Sequence, residues 1–440
     1  MKKRKISISK IFNLVSFVFL LTCCLFYGGR FIKLYLENEK KVVNESNSLG
    51  KSLREINDSN LKNVNGVYYF TGNDVNNYVL YSNILFRAVK IEDNNVVTLI
   101  SNNSLTSLAL GNNKGYVESQ VNTWLNANDS KHSGILEDKL NSAVTYLKKE
   151  DICVDKIDDV SNYSCSNYNS DYYISSLSIY DYINTGAQNS FINTSENFYL
   201  SNINGNDEVW IINTDGKITT SKNDTIYGIK PTVKLKENLD KVSGSGTKED
   251  PFVIESTTGI FGSYVNLDED IWRVIDVDGD NVKLMLDNYI MNGNDVVTYK
   301  YSNKSSYHDD TKYNTLAYYL NKNYLNSLSY KNIVIESNYA NGYYGSDNNY
   351  NYSETLDKTV NTKVALVSVG DIILNHELDG YFTMTSSSRK NNFVYSVQKN
   401  NTSYSKMVSS NGKIVPVITI DKNKLSEGTG TKNDPLRMVK

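Results

Sequence analysis

Histidine, proline and cysteine are scarce in this sequence. Its 440 residues include three histidines, four prolines and four cysteines. His132, His308 and His376 leave little material for a histidine-based metal site or a catalytic triad, so we expect no metal, no cofactor and no catalytic residue. The formal net charge of −3 lacks the basic excess that nucleic-acid binding requires, which argues against nucleic acid as a partner.

The apolar content is sufficient for folded cores. Hydrophobic residues make up 40% of the chain and charged residues 22%, which argues against global disorder. At roughly 150 residues per domain, the length predicts two or three domains.

The N-terminus carries a basic segment followed by an apolar one. Residues 1–10 hold five positive charges and no acid, and residues 11–29 hold no charge. As a helix, the apolar segment spans roughly 28 Å, about the thickness of a bilayer core. We expect residues 11–29 to be a single-pass transmembrane signal-anchor in the cell membrane, with residues 1–10 as a cytoplasmic tail and residues 30–440 extracellular. A lipoprotein signal ending at Cys23 and a cleaved signal peptide are the alternatives.

Two of the four cysteines lie in the predicted extracellular part. Cys153 and Cys165 are separated by eleven residues, and no further residues with metal-ligand spacing accompany them. In an exported chain such a pair predicts a disulfide that closes a loop of about 13 residues. A CxxC redox motif is absent from the sequence.

The four prolines mark an element that occurs twice. A proline in an apolar segment is followed by a GxGTKxDP sequence, and both parts recur about 185 residues later. The signature residues are Pro231, Gly244, Gly246 and Pro251 in the first copy and Pro416, Gly428, Gly430 and Pro435 in the second. We expect two tandem homologous domains, at residues 61–257 and 258–440, in which the two proline strands occupy equivalent places. Residues 30–60 form the predicted stalk, either a helical spacer or a polar linker.

Each predicted domain shows strand patterns with a few short helices. The segment IWRVIDVDGDNVKLML alternates apolar and polar residues around Asp278 and Gly279, which predicts a β-hairpin. Helical patterns around residues 117–125 and 314–325 are short. The fold class predicted is α+β, with mostly antiparallel strands.

Two motifs resemble known ligand loops without completing them. The GSGTK sequence from Gly244 lacks the spacing and the following helix of a phosphate-binding loop, so we interpret it as a tight turn. The DVDGD sequence from Asp276 resembles the start of a calcium loop, but position 287 is Asp where that loop has Glu. A hairpin turn is the preferred interpretation.

One segment has the composition of a binding loop. Residues 338–352 are rich in tyrosine, glycine, serine and asparagine, the residue types that recognition loops use for broad, adaptable contacts. The candidate recognition residues are Tyr339, Tyr343, Tyr344, Tyr350 and Tyr352. The alternative is a solvent-facing loop that reflects the general enrichment of the chain in asparagine and tyrosine.

Several of these segments together resemble a family of uncharacterised bacterial surface repeats. They are the aromatic–arginine pairs at Phe86 and Trp272, the helices that end in Leu-Asn, the proline strands and the GxGTxxxP turns. Such repeats are similar to the C-type-lectin-like, formylglycine-generating superfamily, whose members range from oxidising enzymes to binding modules. The chain lacks the cysteine pair that holds copper in the enzymatic members.

These features predict a membrane-anchored bacterial surface protein with two non-catalytic domains for recognition or adhesion. Its expected partners are the membrane, through the N-terminal helix, and a cell-wall polymer, a glycan or a protein. A structural envelope protein without a specific ligand is one alternative. A wall- or glycan-modifying enzyme that uses carboxylates is another, because acids are plentiful in the chain.

Overall fold

The computed structural model describes most of the chain downstream of the predicted anchor. The basic tail at residues 1–10 and the predicted membrane segment at residues 11–29 lie outside the described residues. Within the described ranges, no helix combines the length and the apolar character needed to cross a membrane. The described residues are 47–111, 115–126, 135–140, 143–205, 208–254, 259–304, 308–340, 343–344, 350–351, 359–387, 392–398 and 403–438.

Short strands dominate both halves of the chain. In the N-terminal half (residues 47–254) the strands are β1 Leu61–Val64, β2 Val67–Phe70, β3 Tyr78–Tyr81, β4 Ile84–Ile91, β5 Val97–Ser101, β6 Thr106–Ala109, β7 Leu147–Lys148, β8 Ile152–Cys153, β9 Tyr168–Asn169, β10 Ile174–Ser176, β11 Phe198–Gly205, β12 Glu208–Ile212, β13 Ile218–Lys222, β14 Ile226–Ile229, β15 Pro231–Leu235, β16 Lys241–Ser243 and β17 Phe252–Ile254.

The C-terminal half (residues 259–438) is equally rich in strands. These are β18 Tyr264–Leu267, β19 Asp270–Asp278, β20 Asn281–Leu286, β21 Met291–Asn292, β22 Asp295–Val296, β23 Thr298–Lys300, β24 Ser337–Ala340, β25 Tyr343–Tyr344, β26 Tyr350–Asn351, β27 Thr359–Thr362, β28 Val364–Leu366, β29 Tyr381–Ser387, β30 Phe393–Val397, β31 Ser403–Met407, β32 Asn411–Lys413, β33 Pro416–Asp421, β34 Leu425–Ser426 and β35 Leu436–Met438.

The described helices are short. They are α1 Leu49–Ile56, α2 Gln120–Leu125, α3 Ile135–Lys139, α4 Ala143–Tyr146, α5 Ile179–Asn184, α6 Leu316–Tyr318 and α7 Leu325–Ser327, with a π-helical segment Tyr319–Tyr324 between the last two. Single 3₁₀ turns occupy Asp58–Asn60, Asp93–Asn95, Val160–Asn162, Ala187–Asn189, Lys331–Ile333 and Lys422–Lys424.

The principal sheets of the two halves have the same strand order. The N-terminal sheet runs β10-β15-β5-β4-β3-β17-β16, and the C-terminal sheet runs β28-β33-β20-β19-β18-β35-β34. In each, one pairing near the end of this order is parallel, β17 with β3 and β35 with β18. The secondary structure of the described residues is mostly strand with a few short helices, as predicted. Most pairings of the principal sheets are antiparallel, and each sheet is mixed because of its one parallel pairing.

A second sheet in each half also follows one order. It runs β13-β12-β11-β14-β6 in the N-terminal half and β31-β30-β29-β32-β23 in the C-terminal half. The central pairings β11–β14 and β29–β32 are both parallel. Strand β29 additionally pairs with β25, which extends the C-terminal version.

The proline strands open at matching points in these sheets. Pro231 is the first residue of β15 and lies opposite Ser176, the last residue of β10. Pro416 is likewise the first residue of β33 and lies opposite Leu366, the last residue of β28. Because proline has no N–H to donate to a strand ladder, the first position of a strand tolerates it.

The glycine turns that follow the proline strands need left-handed backbone. Gly244 has φ +91° and Gly428 has φ +85°, and a Cβ at either position would clash with the carbonyl oxygen of Pro251 or Pro435, respectively. Each turn also makes a backbone hydrogen bond to a strand of its own half, β3 in the N-terminal half and β18 in the C-terminal half. The Gly246 oxygen accepts from the N–H of Tyr78 at 3.0 Å, and the Gly430 oxygen accepts from that of Tyr264 at 2.8 Å.

The end of the predicted stalk is part of the N-terminal fold. Residues 49–56 form α1, whose Leu49 and Leu53 lie one helical turn apart and are buried in the hydrophobic core. The backbone N–H of Leu49 donates to the oxygen of Leu239 at 2.8 Å. This amphipathic helix is therefore packed against the domain rather than acting as a spacer.

A segment of the C-terminal half packs into the core of the N-terminal half. Val369, Ile372 and Leu374 belong to the same buried cluster as the N-terminal sheet. The indole Nε1 of Trp124 donates to the oxygen of Gly370 at 2.8 Å. These contacts join the two halves through buried apolar surface.

One buried asparagine in each half bonds a helical segment to the principal sheet: Asn126 follows the last residue of α2, and Asn321 lies within the π-helical segment. The Asn126 amide donates to the oxygen of Ile174 at 2.7 Å and accepts from its N–H at 3.0 Å. The Asn321 amide makes the same two bonds to Val364, at 2.8 and 2.9 Å. Each asparagine therefore joins a helix to the first strand of the principal sheet.

We expect N126A and N321A each to lower the free energy of unfolding. Each substitution leaves a buried backbone N–H and C=O unpaired, at about 1–3 kcal/mol per group. Chemical denaturation of the full-length protein measures this loss. N326A is the matched control, since the exposed Asn326 amide donates to the Lys322 oxygen of its own helical segment and accepts only an exposed bond from Lys331 Nζ at 3.4 Å. An N126A midpoint equal to that of N326A would contradict the assigned role.

Candidate functional site

A cleft of about 500 Å³ opens over the principal sheet of the N-terminal half. Its floor is a row of side chains on three neighbouring strands, in which Thr98 pairs with Lys90 on one side and with Lys234 on the other. Cross-strand neighbours project from the same face of a sheet, so both ammonium groups enter the cleft. Hydroxyl groups extend this polar lining, from Ser175, Ser176, Ser178, Ser201 and Thr232.

The two lysines are paired with carboxylates. Lys90 Nζ lies 3.0 Å from Asp181 Oδ1 and 3.5 Å from Glu92 Oε1, and Lys234 Nζ lies 2.8 Å from Glu92 Oε2. The hydroxyl of Tyr69 also donates to Asp181 Oδ1, at 3.0 Å. Burial lowers the pKa of Lys90, but Asp181, Tyr69 and Glu92 outweigh it and raise that pKa above its usual value. The ammonium group of Lys90 therefore remains charged at neutral pH.

Helix α5 places Asp181 and Tyr180 at the cleft. Its N-cap residue is Ser178, whose hydroxyl accepts from the backbone N–H of Asp181 at 3.0 Å. Asp181 then lies in the first turn, where a negative charge is favourable. The neighbouring Tyr180 points to solvent at the rim of the cleft, with 39% of its surface exposed.

Glu150 is the carboxylate of the cleft that lacks a partner. Its Oε1 atom is buried and has no hydrogen-bond partner among the described residues. Burial raises the pKa of Glu150 to about 7, although Lys90 and Lys234 oppose this rise. Asp181 and Glu92, which already hold the lysines, add to it. Glu150 therefore exchanges a proton near neutral pH, which an ordinary surface glutamate does not.

Tyrosine rings form one wall of the cleft. The ring centroid of Tyr180 lies 5.6 Å from that of Tyr163 and 6.4 Å from that of Tyr69. Tyr168 also lines the cleft, with 54% of its surface exposed. The wall therefore offers aromatic faces beside charged groups.

The disulfide ties down the loop that carries part of this wall. The sulfur atoms of Cys153 and Cys165 lie 2.01 Å apart, and Cys153 pairs with Tyr168 across β8 and β9. Within the loop, the Asp155 carboxylate accepts from the N–H groups of Ser166 and Asn167, at 2.6 and 3.0 Å. Asp155 and the two cysteines are the one grouping of potential metal ligands in the described part of the chain. The disulfide removes both thiolates from such a role.

In the C-terminal half, the surface that corresponds to the floor of this cleft is covered by a side chain. Asp276, Lys283 and Thr419 occupy the row that Lys90, Thr98 and Lys234 form in the other half. Lys283 Nζ lies 2.7 Å from Asp371, and Lys139 of α3 reaches Asp276 at 2.6 Å.

The residue that covers this second row is Tyr339. Only 2% of its surface is exposed, its hydroxyl bonds Thr419 Oγ1 at 2.8 Å, and its ring lies 5.7 Å from Lys283 Nζ. This tyrosine, predicted as part of a recognition loop, is thus a buried strand residue of β24. Tyr343 and Tyr344 lie in β25 and Tyr350 lies in β26, whereas Tyr352 lies outside the described residues.

A second cleft, of about 780 Å³, lies in the C-terminal half. Its two more buried acids have partners: Asp270 accepts from the hydroxyl of Tyr330, and Asp287 accepts from the Asn375 amide at 3.2 Å. Burial raises the pKa of Asp287. The unsatisfied carboxylate oxygen distinguishes the N-terminal cleft from this one.

Most residues of the N-terminal cleft were not predicted from the sequence. Lys90, Glu150, Asp181 and Lys234 come from segments that are far apart in the chain, so no local spacing joins them. The sequence LSIYD, which ends at Asp181, has a counterpart in VSVGD, which ends at Asp371, and Asp371 also pairs with a lysine. That repetition was the available signal for one member of the site.

Comparisons with protein-family models, with curated proteins and with solved structures find no match for this chain.

We expect E150Q to gain stability relative to the unsubstituted protein as the pH rises. Folding raises the pKa of Glu150 from 4.5 to about 7, so the folded state holds this proton more tightly than the unfolded state. Stability therefore falls as the pH rises through that window, and glutamine removes this loss. Thermal unfolding at a series of pH values measures the difference.

The matched control for this experiment is E237Q. Glu237 is exposed, and its hydrogen bond to Lys148 holds its pKa below the usual value, so its effect stays constant at neutral pH. Equal pH profiles for E150Q and E237Q would show that Glu150 is an ordinary carboxylate.

Proposed function

We propose that this chain is a membrane-anchored surface protein whose N-terminal half binds a saccharide-containing ligand in the tyrosine-lined cleft. The observation that carries the proposal is the combination, in one cleft, of accessible tyrosine rings with charged and hydroxyl groups. Sugar rings have apolar faces that pack on aromatic rings, and hydroxyls that exchange hydrogen bonds with carboxylate and hydroxyl groups. A glycan of the cell wall matches both properties.

Surface location supports the choice of a glycan ligand. The predicted anchor at residues 11–29 places the remainder of the chain outside the cell, and the disulfide at Cys153 and Cys165 suits an oxidising compartment. Wall polymers are abundant there.

Duplication is part of the same proposal. The matching strand orders support descent of both halves from one domain. The guanidinium of Arg87 lies 3.8 Å from the Tyr78 ring, and that of Arg273 lies 4.1 Å from the Tyr264 ring, which repeats one contact in both halves. The resemblance to C-type-lectin-like surface domains belongs to this inference. According to this inference, the N-terminal copy has kept the cleft open, whereas Tyr339 covers the equivalent surface in the C-terminal copy.

A glycan-modifying enzyme is the second candidate, and Glu150 favours it. A carboxyl group that titrates near neutral pH beside Asp181 has the character of a general acid. Binding is preferred because Asp181 is already held by Lys90 and Tyr69, which leaves it less free to act as a base or a nucleophile.

We expect Y180A to weaken binding of soluble wall glycan fragments by about 10-fold, since a lost aromatic contact removes about 1 kcal/mol beyond its buried area. Titration of the full-length protein in detergent with the fragments measures the affinity. Y313A is the matched control, because Tyr313 is 74% exposed but lies outside the cleft.

The same samples distinguish the three functions. Release of shorter or modified fragments over time would support the enzyme. Absence of binding to any wall glycan would favour the structural envelope protein and contradict our proposal.

A further inference from the structure

The charges of the N-terminal cleft are unevenly matched. Lys90 and Lys234 are each within ion-pair distance of Asp181 or Glu92. Glu150 makes no ion pair within 4.0 Å among the described residues, and its buried Oε1 accepts no hydrogen bond there. The cleft thus contains an acceptor that its own lysines do not satisfy.

A buried acceptor without a donor is costly to the folded protein. Leaving such a group unsatisfied costs about 1–3 kcal/mol, and more when the group is charged. Groups that break the rule of satisfied burial concentrate at functional sites, where a ligand supplies the missing partner. The acceptor at Glu150 therefore indicates what the ligand has to donate.

We propose that the cleft selects an amino sugar with a free amine, as in a de-N-acetylated wall glycan, and that Glu150 receives its ammonium group. This inference rests on the proposed function, since the sugar ring has to pack against the tyrosine wall. An ammonium donates up to three hydrogen bonds and carries the charge that complements a carboxylate. An N-acetyl group offers one N–H, no charge and a bulkier shape.

The surrounding groups are consistent with a cationic ligand. Four elements present charge to Glu150: β4 through Lys90, β15 through Lys234, α5 through Asp181, and the turn after β4 through Glu92. Because the lysines are neutralised by Asp181 and Glu92, their repulsion of an incoming cation is reduced. Tyr116, which is also buried near Glu150, donates its hydroxyl to Ser176 Oγ at 2.8 Å and does not compete for the carboxylate.

Proton release accompanies the proposed binding event. In the empty cleft near neutral pH, Glu150 is partly protonated, since burial raises its pKa to about 7. The ammonium stabilises the ionised carboxylate, so the remaining proton leaves Glu150 on binding, either to the solvent or to the ligand amine where that amine is still uncharged. The covalent structure of the ligand and of Glu150 is unchanged.

The test compares two oligosaccharides that differ only at the amine. The full-length protein in detergent is titrated calorimetrically with a glucosamine hexamer and with an N-acetylglucosamine hexamer. We expect the glucosamine hexamer to bind about 10- to 100-fold more tightly, which is the contribution of a charge-assisted hydrogen bond. E150Q abolishes this preference, whereas E237Q retains it, because Glu237 is paired with Lys148 outside the cleft.

Calorimetry also detects the release of the Glu150 proton on binding. Repeating the glucosamine titration in buffers of different ionisation enthalpy reports the net number of protons released, which we expect to be larger for the unsubstituted protein than for E150Q, since proton uptake by the ligand amine is common to both. The ratio of the two affinities, unsubstituted over E150Q, rises as the pH passes upward through about 7, the pKa of Glu150. Titration of the ligand amine is common to both proteins and cancels in this ratio.

The outcomes separate the inference from the proposed function. Suppose that both hexamers bind with equal affinity, and that this affinity is unchanged in E150Q but reduced in Y180A. This result overturns the role of Glu150 and leaves glycan binding in place. A preference for the N-acetylated hexamer overturns the inference in the same way. If neither hexamer nor any other wall glycan binds, the inference and the proposed function are both overturned.

Discussion

The ion pair between Lys90 and Asp181 is the interaction on which the rest of the cleft depends. A largely buried lysine stays charged only beside a carboxylate, and Asp181 supplies one at 3.0 Å. The same pair fixes α5 against β4, and α5 carries Tyr180 to the rim. Asp181 also orders the Tyr69 hydroxyl, so that one carboxylate positions the floor and the wall together.

The two halves show how one architecture gives an open and a closed surface. The row Lys90–Thr98–Lys234 leaves space above it, whereas the row at Asp276, Lys283 and Thr419 is covered by Tyr339. The change needs no rearrangement of the sheet, because strand order and register are the same on both sides. Surface side chains and Tyr339 of β24 therefore decide whether the row is open or covered, while the strand order of the principal sheet is the same in both halves.

Features set by short segments could be predicted from the sequence. The hairpin at Gly279 follows from alternation around a turn dipeptide, and the GxGTKxDP turns follow from residues that need left-handed backbone. Pairing of Cys153 with Cys165 follows from counting the thiols downstream of the predicted anchor. In each case the determining residues lie within about a dozen positions of one another.

The cleft and the burial of Tyr339 depend on tertiary structure. The raised pKa of Glu150 results from burial among strands and a helix that are distant in sequence. Burial of this kind produces no pattern in the residues next to Glu150 in the sequence. Composition suggested that Tyr339 belongs to a solvent-facing loop. It cannot distinguish a tyrosine in such a loop from one on a strand that faces the core, since tyrosine is favourable in both places.

The segment around residues 369–374 has a mechanical consequence. Val369, Ile372 and Leu374 of the C-terminal half are inserted in the apolar core of the N-terminal half, and Ile373 donates its N–H to the Leu105 oxygen at 2.8 Å. Pulling the halves apart would expose this apolar surface to water. The two halves therefore resist tension as one unit rather than as independent domains. Under the proposed function, a load applied through a glycan in the cleft would pass through both halves at once.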